Sequence, residues 1–275
     1  MKLYAVSDLH LSREPNRRAL KNLRAHPGDW LILAGDVGET ETHLQYALAV
    51  LTRCFDQVLW TPGNHDLWTL PSARQGARGE ARYRRLVQIC RDYGVLTPED
   101  PYPRWPGPGP ACTLAPVFTL YDYSFSPDEI PPERAVEWAA GAGVVCADEL
   151  LLHPDPYPSR QAWCAARCEY TGARLQEAGA AGPLLLASHY PLRRDLVLLR
   201  RIPRFAPWCG TRLTESWFER FPLLAVVYGH LHLRGSHRRL GVRCEEVSLG
   251  YPEQWDESAG LEPYLREILP GPRPA

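Results

Sequence analysis

Lysine is almost missing from this chain: of 31 Lys+Arg, only Lys2 and Lys21 are lysines, and methionine occurs once. Net charge is missing too, because 32 Asp+Glu oppose those 31 cations and leave −1 at pH 7. Without an overall basic field there is nothing to hold nucleic acid or an anionic membrane regardless of sequence, so nucleic acid and membrane are disfavoured as partners and any phosphate binding must be local. No window reaches 18 apolar residues, the longest runs being strand-sized pieces such as 223–228, which excludes a membrane-spanning helix. The opening Met1-Lys2-Leu3-Tyr4-Ala5-Val6-Ser7-Asp8 lacks the apolar core and cleavage site of a secretory leader, so a cytoplasmic location is expected. In that reducing compartment the eight cysteines are expected to be buried thiols, and Cys164 and Cys168 lack the C-x-x-C spacing of a structural metal site.

What is present fits one large soluble α/β domain: 275 residues, 45% hydrophobic and 23% charged. The 27 prolines, roughly twice the usual share, enforce loops, six of them falling in 97–110. The arginine bias reads as codon usage rather than adaptation to heat, since thermophile proteomes lean to Lys and Glu. Three apolar runs that stop at polar residues, 3–8, 30–36 and 57–64, read as strands. Between the second and third, Thr42-His43-Leu44-Gln45 offers a capping box, followed by Leu44, Ala47, Leu48, Leu51 and Phe55 at helical spacing. A right-handed β-α-β crossover then makes the strands parallel and puts their polar ends on one edge, where such sheets bind ligands. Helices are predicted at 78–93 and 159–178. Further strands are predicted at 117–125, 183–188, 223–228, 236–240 and 242–249, the last two forming an antiparallel hairpin around Gly241. Residues 1–269 read as a single domain with a long insert at about 67–183, and 270–275 as a disordered tail.

At the end of each of five predicted strands stands a ligand-type residue: Asp8-Leu9-His10, Gly35-Asp36, Gly63-Asn64-His65-Asp66, Ser188-His189 and Gly229-His230-Leu231-His232. Carboxylate and imidazole suit borderline divalent ions, and the lack of thiolate among them argues against a structural zinc site. Taken singly, each histidine is as readily a loop or core residue. Five of the nine falling inside these short motifs changes that weighing, whereas His26, His43, His153 and His237 read as surface or turn residues.

This ordered series resembles the signature of the calcineurin-like binuclear metallophosphoesterases, over residues 1 to about 249. The resemblance implies a four-layer α/β/β/α sandwich, two mixed sheets flanked by helices, with two divalent metal ions at the sheet edge. Manganese or iron is expected first, with zinc, nickel or cobalt as alternatives. Carried over position by position, Asp8, His10 and His232 hold one ion, Asn64, His189 and His230 the other, and Asp36 bridges both. Such a pair activates water for in-line attack on phosphorus, so hydrolysis is direct and no phospho-enzyme is implied. His65 is expected to give a proton to the leaving alkoxide, with Asp66 holding its imidazole in the right tautomer. A related pyrophosphohydrolase of the lipid A pathway carries arginine where His65 stands, and Gly35-Asp36-Val37-Gly38-Glu39 lacks the marks of the Ser/Thr protein phosphatases and purple acid phosphatases.

Phrases between 188 and 255, among them Ser188-His189-Tyr190-Pro191-Leu192-Arg193-Arg194-Asp195-Leu196, Trp208-Cys209-Gly210-Thr211 and Gly250-Tyr251-Pro252, are similar to actinobacterial phosphopantetheinyl hydrolases. These remove the 4′-phosphopantetheine arm from carrier proteins. The resemblance implies a phosphodiesterase converting a holo-acyl carrier protein to its apo form, with Tyr190, Arg193, Arg201, Trp208 and Cys209 as candidate substrate contacts. Five arginines between 193 and 204 provide a local basic rim for an acidic partner; the plainer reading is a solvated face balanced elsewhere. Three alternatives stand beside it. One is a phosphodiesterase or phosphatase for a small molecule or cyclic nucleotide, with its pocket in the 67–183 insert. The others are a nuclease, which lacks its basic stripe here, and a non-catalytic scaffold, which has no need of the full ligand set.

Overall fold

The computed structural model describes residues 1–71 and 76–271. Among the described residues nine strands form two sheets: β1 (Leu3–Val6), β2 (His26–Leu33), β3 (Phe55–Trp60) and β9 (Arg266–Leu269) in the order β3-β2-β1-β9, and β4 (Thr113–Pro116), β5 (Leu184–Ala187), β6 (Leu223–Tyr228), β7 (Gly235–Arg239) and β8 (Val242–Glu246) in the order β4-β5-β6-β8-β7. Only β9 and β7 run antiparallel to their neighbours, so both sheets are mixed. The helices are α1 (Glu14–Lys21), α2 (Glu41–Cys54), α3 (Asn64–Leu67), α4 (Gly79–Asp92), α5 (Ala135–Ala140), α6 (Asp148–Leu151), α7 (Arg160–Gly179) and α8 (Trp217–Arg220).

Strands such as β5 (LLLA) and β6 (LLAVVY) are apolar on both faces because both faces are covered. Successive side chains point to opposite sides, and the core divides on that period. Leu3, Ala5, Ile32, Ala34 and Leu59 meet Leu114, Leu185, Ala187, Ala225 and Val227 in one cluster between the sheets. Their neighbours Leu31, Leu33, Val58, Trp60, Leu184, Leu186, Val226 and Tyr228 belong to the other cluster, with helical residues such as Leu44, Leu48, Leu51, Leu86 and Trp163. The result is the expected sandwich of two sheets flanked by helices.

The sheets are stitched directly beneath the sequence motifs. Ser7 bridges Ser248 in parallel fashion, with Ser7 N–H donating to Val247 O at 3.1 Å and Leu249 N–H to Ser7 O at 2.9 Å. The parallel strands β1, β2, β3, β5 and β6 thus end along one rim.

Three local expectations change. The cap of α2 is Thr40, whose hydroxyl accepts from His43 N–H at 3.2 Å, rather than Thr42, and Phe55 opens β3 instead of closing the helix. The strand expected at 117–125 lies earlier, at β4, because Thr113–Pro116 pairs with β5 while the alternating run after it is buried without a ladder. Helix α1 and strand β9 carry little apolar pattern and were not anticipated. Helices α4 and α7, the β7–β8 hairpin and the irregular 97–110 loop fall where the spacing puts them. All eight cysteines are free, six of them buried. The expected tail at 270–275 falls largely on 272–275, outside the described residues. No helix among the described residues is long and apolar enough to cross a membrane.

Candidate metal centre

The five strand-end motifs converge. Asp8, His10 and His232 have ligand atoms within 4.8 Å of one another, as do Asp36, His189 and His230. His10, Asp36 and His65 make a third such group. Asp8, His10, Asp36 and Asn64 follow strands of the first sheet, His189, His230 and His232 those of the second, so the cluster straddles the seam.

The backbone is bent to achieve this. Seven non-glycine residues among those described have positive φ, and five of them are Asp8 (55°), His10 (41°), Asp36 (51°), His230 (71°) and His232 (54°). Left-handed conformations cost energy for residues with a Cβ and collect at functional sites. They aim consecutive donors from a single strand end inward. Glycine is needed where backbone comes closest: a Cβ at Gly63 would fall on the Asp36 carboxylate, and one at Gly229 on Ser7 Oγ and Asp8.

Each donor is oriented by a partner behind it. Asp8 Oδ2 accepts from Ser7 Oγ (2.5 Å), Ser248 Oγ (2.8 Å) and His230 N–H (3.0 Å), which leaves Oδ1 facing His232 Nε2 at 3.1 Å. Asp36 Oδ1 accepts from His65 N–H at 2.9 Å, and its Oδ2 lies 3.5 Å from His189 Nε2. The His189 ring donates from Nδ1 to Ala34 O at 3.0 Å, so its Nε2 presents a lone pair. That lone pair meets Asn64 Oδ1 at 3.2 Å and His230 Nδ1 at 3.2 Å. His232 likewise bonds Gln254 Oε1 through Nδ1 at 2.7 Å and turns Nε2 toward Asp8 and His10 Nε2, the latter at 3.1 Å. Asn64 Nδ2 donates to Asp148 Oδ1 at 3.0 Å, which fixes the amide with its oxygen inward.

The electrostatics follow from burial. Burial, with His65 nearby, pushes the pKa of His10 well down, and burial with His189 does the same for His230; burial also lowers His189. These rings are therefore neutral near pH 7, with lone pairs free. For His232 burial opposes protonation, but the Asp8 charge and hydrogen bond, helped by Gln254, outweigh it and raise the pKa. Burial works against the Asp8 carboxylate too, yet His232, His189 and His10 hold its pKa well below the usual range. Asp36 is pushed well above that range by burial and then by Asp8 and Asp66.

Asn64 Oδ1 and His189 Nε2 thus meet lone pair to lone pair at 3.2 Å with no proton between them, while the carboxyl of Asp36 sits raised among negative neighbours. Cations resolve both conflicts, and a set of imidazole, carboxylate and amide oxygen fits borderline divalent ions.

Of the catalytic candidates, His65 sits at the rim, 3.9 Å from Asp36 Oδ2 through Nε2, with its ring against Trp68 at 3.7 Å and His10 at 4.7 Å. Asp66 does not hold its imidazole. The Asp66 carboxylate is spent on backbone N–H groups of Asp36 (2.9 Å), Val37 (3.0 Å), Gly38 (3.3 Å) and Gly63 (2.9 Å), clamping two motif loops together. The carboxylate at the far side of the ring is Glu39, whose Oε1 lies 3.5 Å from His65 Nδ1 and also accepts from Ser12 Oγ at 2.9 Å.

The five candidate substrate contacts fare unevenly. Trp208 and Cys209 are fully buried, with Trp208 Nε1 donating to Glu149 and Cys209 Sγ to Phe205 O, so neither faces a substrate. Tyr190 is buried against His230, ring centroids 4.8 Å apart. Arg193 pairs with Asp195 at 3.1 Å, and Arg201 is exposed. The cavity that opens on the cluster, about 320 Å³, is lined by none of them; its walls include Trp68, Val145, Leu199, Ile202, Phe205 and Tyr251. Sequence reasoning also missed Asp148, Glu39 and Gln254. Their signal is spatial, since Asp148 lies 84 residues from the Asn64 it orients.

Two mixed sheets with these donors at their parallel strand ends define a metal-dependent phosphoesterase. The chain belongs to the calcineurin-like phosphoesterase family, whose profile matches residues 1–234. It is 43% identical over 275 residues to "[Acyl-carrier-protein] phosphodiesterase PptH" of Mycobacterium tuberculosis, covering 98% of this chain and 84% of the relative. Among solved structures, the phosphopantetheinyl hydrolase (PptH) of M. tuberculosis superposes with a TM-score of 0.94 at 42% identity, covering 100% of this chain and 98% of that one.

Proposed function

We propose that this protein is a metal-dependent phosphodiesterase that hydrolyses holo-acyl carrier protein to the apo form, releasing the phosphopantetheine arm. The observation that carries the reading is its likeness to phosphopantetheinyl hydrolase, at TM-score 0.94 over the whole chain, joined to a complete donor set. Residues 1–269 act as one domain: β9 pairs with β1, and the 67–183 excursion reaches back to supply Asp148.

In this reading Asp8, His10 and His232 hold one divalent ion and Asn64, His189 and His230 a second, with Asp36 shared; manganese or iron is first choice. When bound, such a pair neutralises phosphate oxygens and activates water. The chain's own part is positioning and proton transfer. Gln254 and the Ala34 carbonyl hold His232 and His189 in the tautomer that leaves Nε2 free. Asp148 keeps the Asn64 oxygen turned inward. His65 Nε2, at the rim, donates a proton to the departing serine oxygen, and the Glu39 carboxylate, 3.5 Å beyond Nδ1, orients the ring for that transfer. Glu39 is fit for this because, although burial opposes it, hydrogen bonds with His43, His65 and Ser12 depress its pKa and keep it ionised.

The test is intact-mass analysis of a holo-acyl carrier protein incubated with the purified enzyme and Mn²⁺. The carrier is expected to lose the arm, and Asp36→Asn to abolish the loss. An untouched carrier alongside turnover of cyclic nucleotides overturns the assignment.

A further inference from the structure

The cavity beside the cluster differs from its floor in chemistry. Its floor is Asp36, Asn64, His65, His230 and His232, and its remaining lining is chiefly apolar, with Gln254, Cys146 and the Tyr251 hydroxyl the polar exceptions and neither lysine nor arginine among the lining residues. Several of those apolar side chains stay uncovered: Val145 is 78% exposed and Ile202 47%. Solvent-facing aliphatic groups at the mouth of a polar centre mark a ligand surface.

The wall has two ends, set against different halves of the cluster. Trp68 packs on His65, the proton donor of the reading above, which in turn abuts His10. Phe205 stacks on His230 instead, centroids 6.0 Å apart at 26°. His10 and His230 belong to different ligand groups. A leaving oxygen must lie by His65 to be protonated, so the Phe205 end is left for the other substituent on phosphorus.

We infer that the wall of Val145, Leu199, Ile202 and Phe205 receives the uncharged, partly apolar substituent that stays on the phosphorus after hydrolysis, and that it determines which phosphodiesters are cleaved. The inference rests on the phosphodiesterase reading. A branched alkyl arm linked by neutral amides has the required chemistry. Substituents carrying further phosphates find no cation in the wall. In the reaction, water adds its oxygen to phosphorus, the bond from phosphorus to the leaving oxygen breaks, and the retained substituent departs still esterified as a monoester.

The experiment uses p-nitrophenyl phosphodiesters that share the leaving group and differ only in the retained one: methyl, n-butyl, an amide-linked branched alkyl chain, and a phosphorylated alkyl chain of equal length. With the Mn²⁺-loaded enzyme, kcat/KM is expected to rise roughly ten- to hundredfold from methyl to butyl, chiefly through KM, and to fall for the phosphorylated chain. Ile202→Asp and Phe205→Ala, checked for unchanged melting, are expected to flatten the methyl-to-butyl gain, read as the ratio of the two kcat/KM values within each variant. Calorimetry of butyl against methyl phosphate, which mimic the product, gives a readout independent of turnover: butyl binds tighter to the wild type, and the two bind alike in the variants. Equal rates across the series in the wild type, or an undiminished gain in both variants, overturns the inference. Failure of every ester to turn over overturns the phosphodiesterase reading instead.

Discussion

At the scale of residues, the centre depends on groups that touch no substrate. Asp148 is fully buried and spends one oxygen on both Asn64 Nδ2 and Trp68 Nε1, the latter at 2.6 Å. Replacing it by alanine frees the Asn64 amide to turn its nitrogen inward, and partners of this kind are worth about 10- to 100-fold in metal affinity or activity. Asp148→Ala is therefore expected to weaken Mn²⁺ binding by that factor in a calorimetric titration while the fold, read by circular dichroism, persists. Glu39→Gln removes the negative charge beyond His65 without removing bulk. The expected result is a drop in kcat on carrier protein that is smaller on aryl esters, whose leaving group needs no proton; equal losses on both would exclude the assigned role. Asp66, by contrast, clamps backbone, and its carboxyl is raised to about 6 by burial despite the N–H groups of Gly63 and Gly38. Its substitution is expected to lower the melting temperature as well as activity.

At the scale of elements, the insert is held by a charged clasp remote from the cluster. Glu99 accepts from Arg167 of α7 at 2.7 Å, from Tyr83 of α4 at 2.6 Å and from Arg84 at 3.0 Å. Burial opposes ionisation of Glu99, but the charge of Arg167, the Tyr83 hydrogen bond and Arg84 bring its pKa down to about 2 from an ordinary 4.5. A depressed folded value means the stabilisation is complete above about 4.5 and is lost as pH falls toward 2. Glu99→Ala leaves Arg167 buried and unpaired, so a loss of about 3 kcal/mol is expected in urea unfolding at neutral pH. The fall in stability between those two pH values should be shallower in the variant than in the wild type. Such clasps escape sequence reading, because residues 68 apart in the chain make them. The strand ends were legible for the opposite reason: each motif is local, an apolar run followed by glycine and a donor. Helices α4 and α7 were legible from their 3.6-residue spacing. Strand β9 was not, since Arg266–Leu269 has only four residues and shows its partner only in three dimensions. Trp208 and Cys209 are candidate contacts only through the resemblance that their phrase carries, and the short helical turns of 203–208 bury both in the core.

At the scale of the molecule, the candidate ligands bind two sheets across their seam, so occupancy and global stability are linked. Ions that bind only the folded chain stabilise it by mass action, on the order of 4 kcal/mol per site at a thousandfold excess over Kd. Chelation is expected to lower the melting temperature and Mn²⁺ to restore it, with Asp36→Asn showing a much smaller span; an unchanged midpoint on chelation would argue against a structural share for the ions. The same seam dictates when in the life of the chain the centre first exists. Asp8 reaches His230 and His232 across 222 and 224 residues, and Ser7 needs Ser248 to anchor it. Translation runs from the other end, so a ribosome that has already delivered Asp8, His10, Asp36 and Asn64 still holds an incomplete donor set until His230 and His232 emerge. In the two-ion reading the site is complete only once His230 and His232 are present, so a chain truncated before residue 229 is expected to bind no metal pair and to show no hydrolysis.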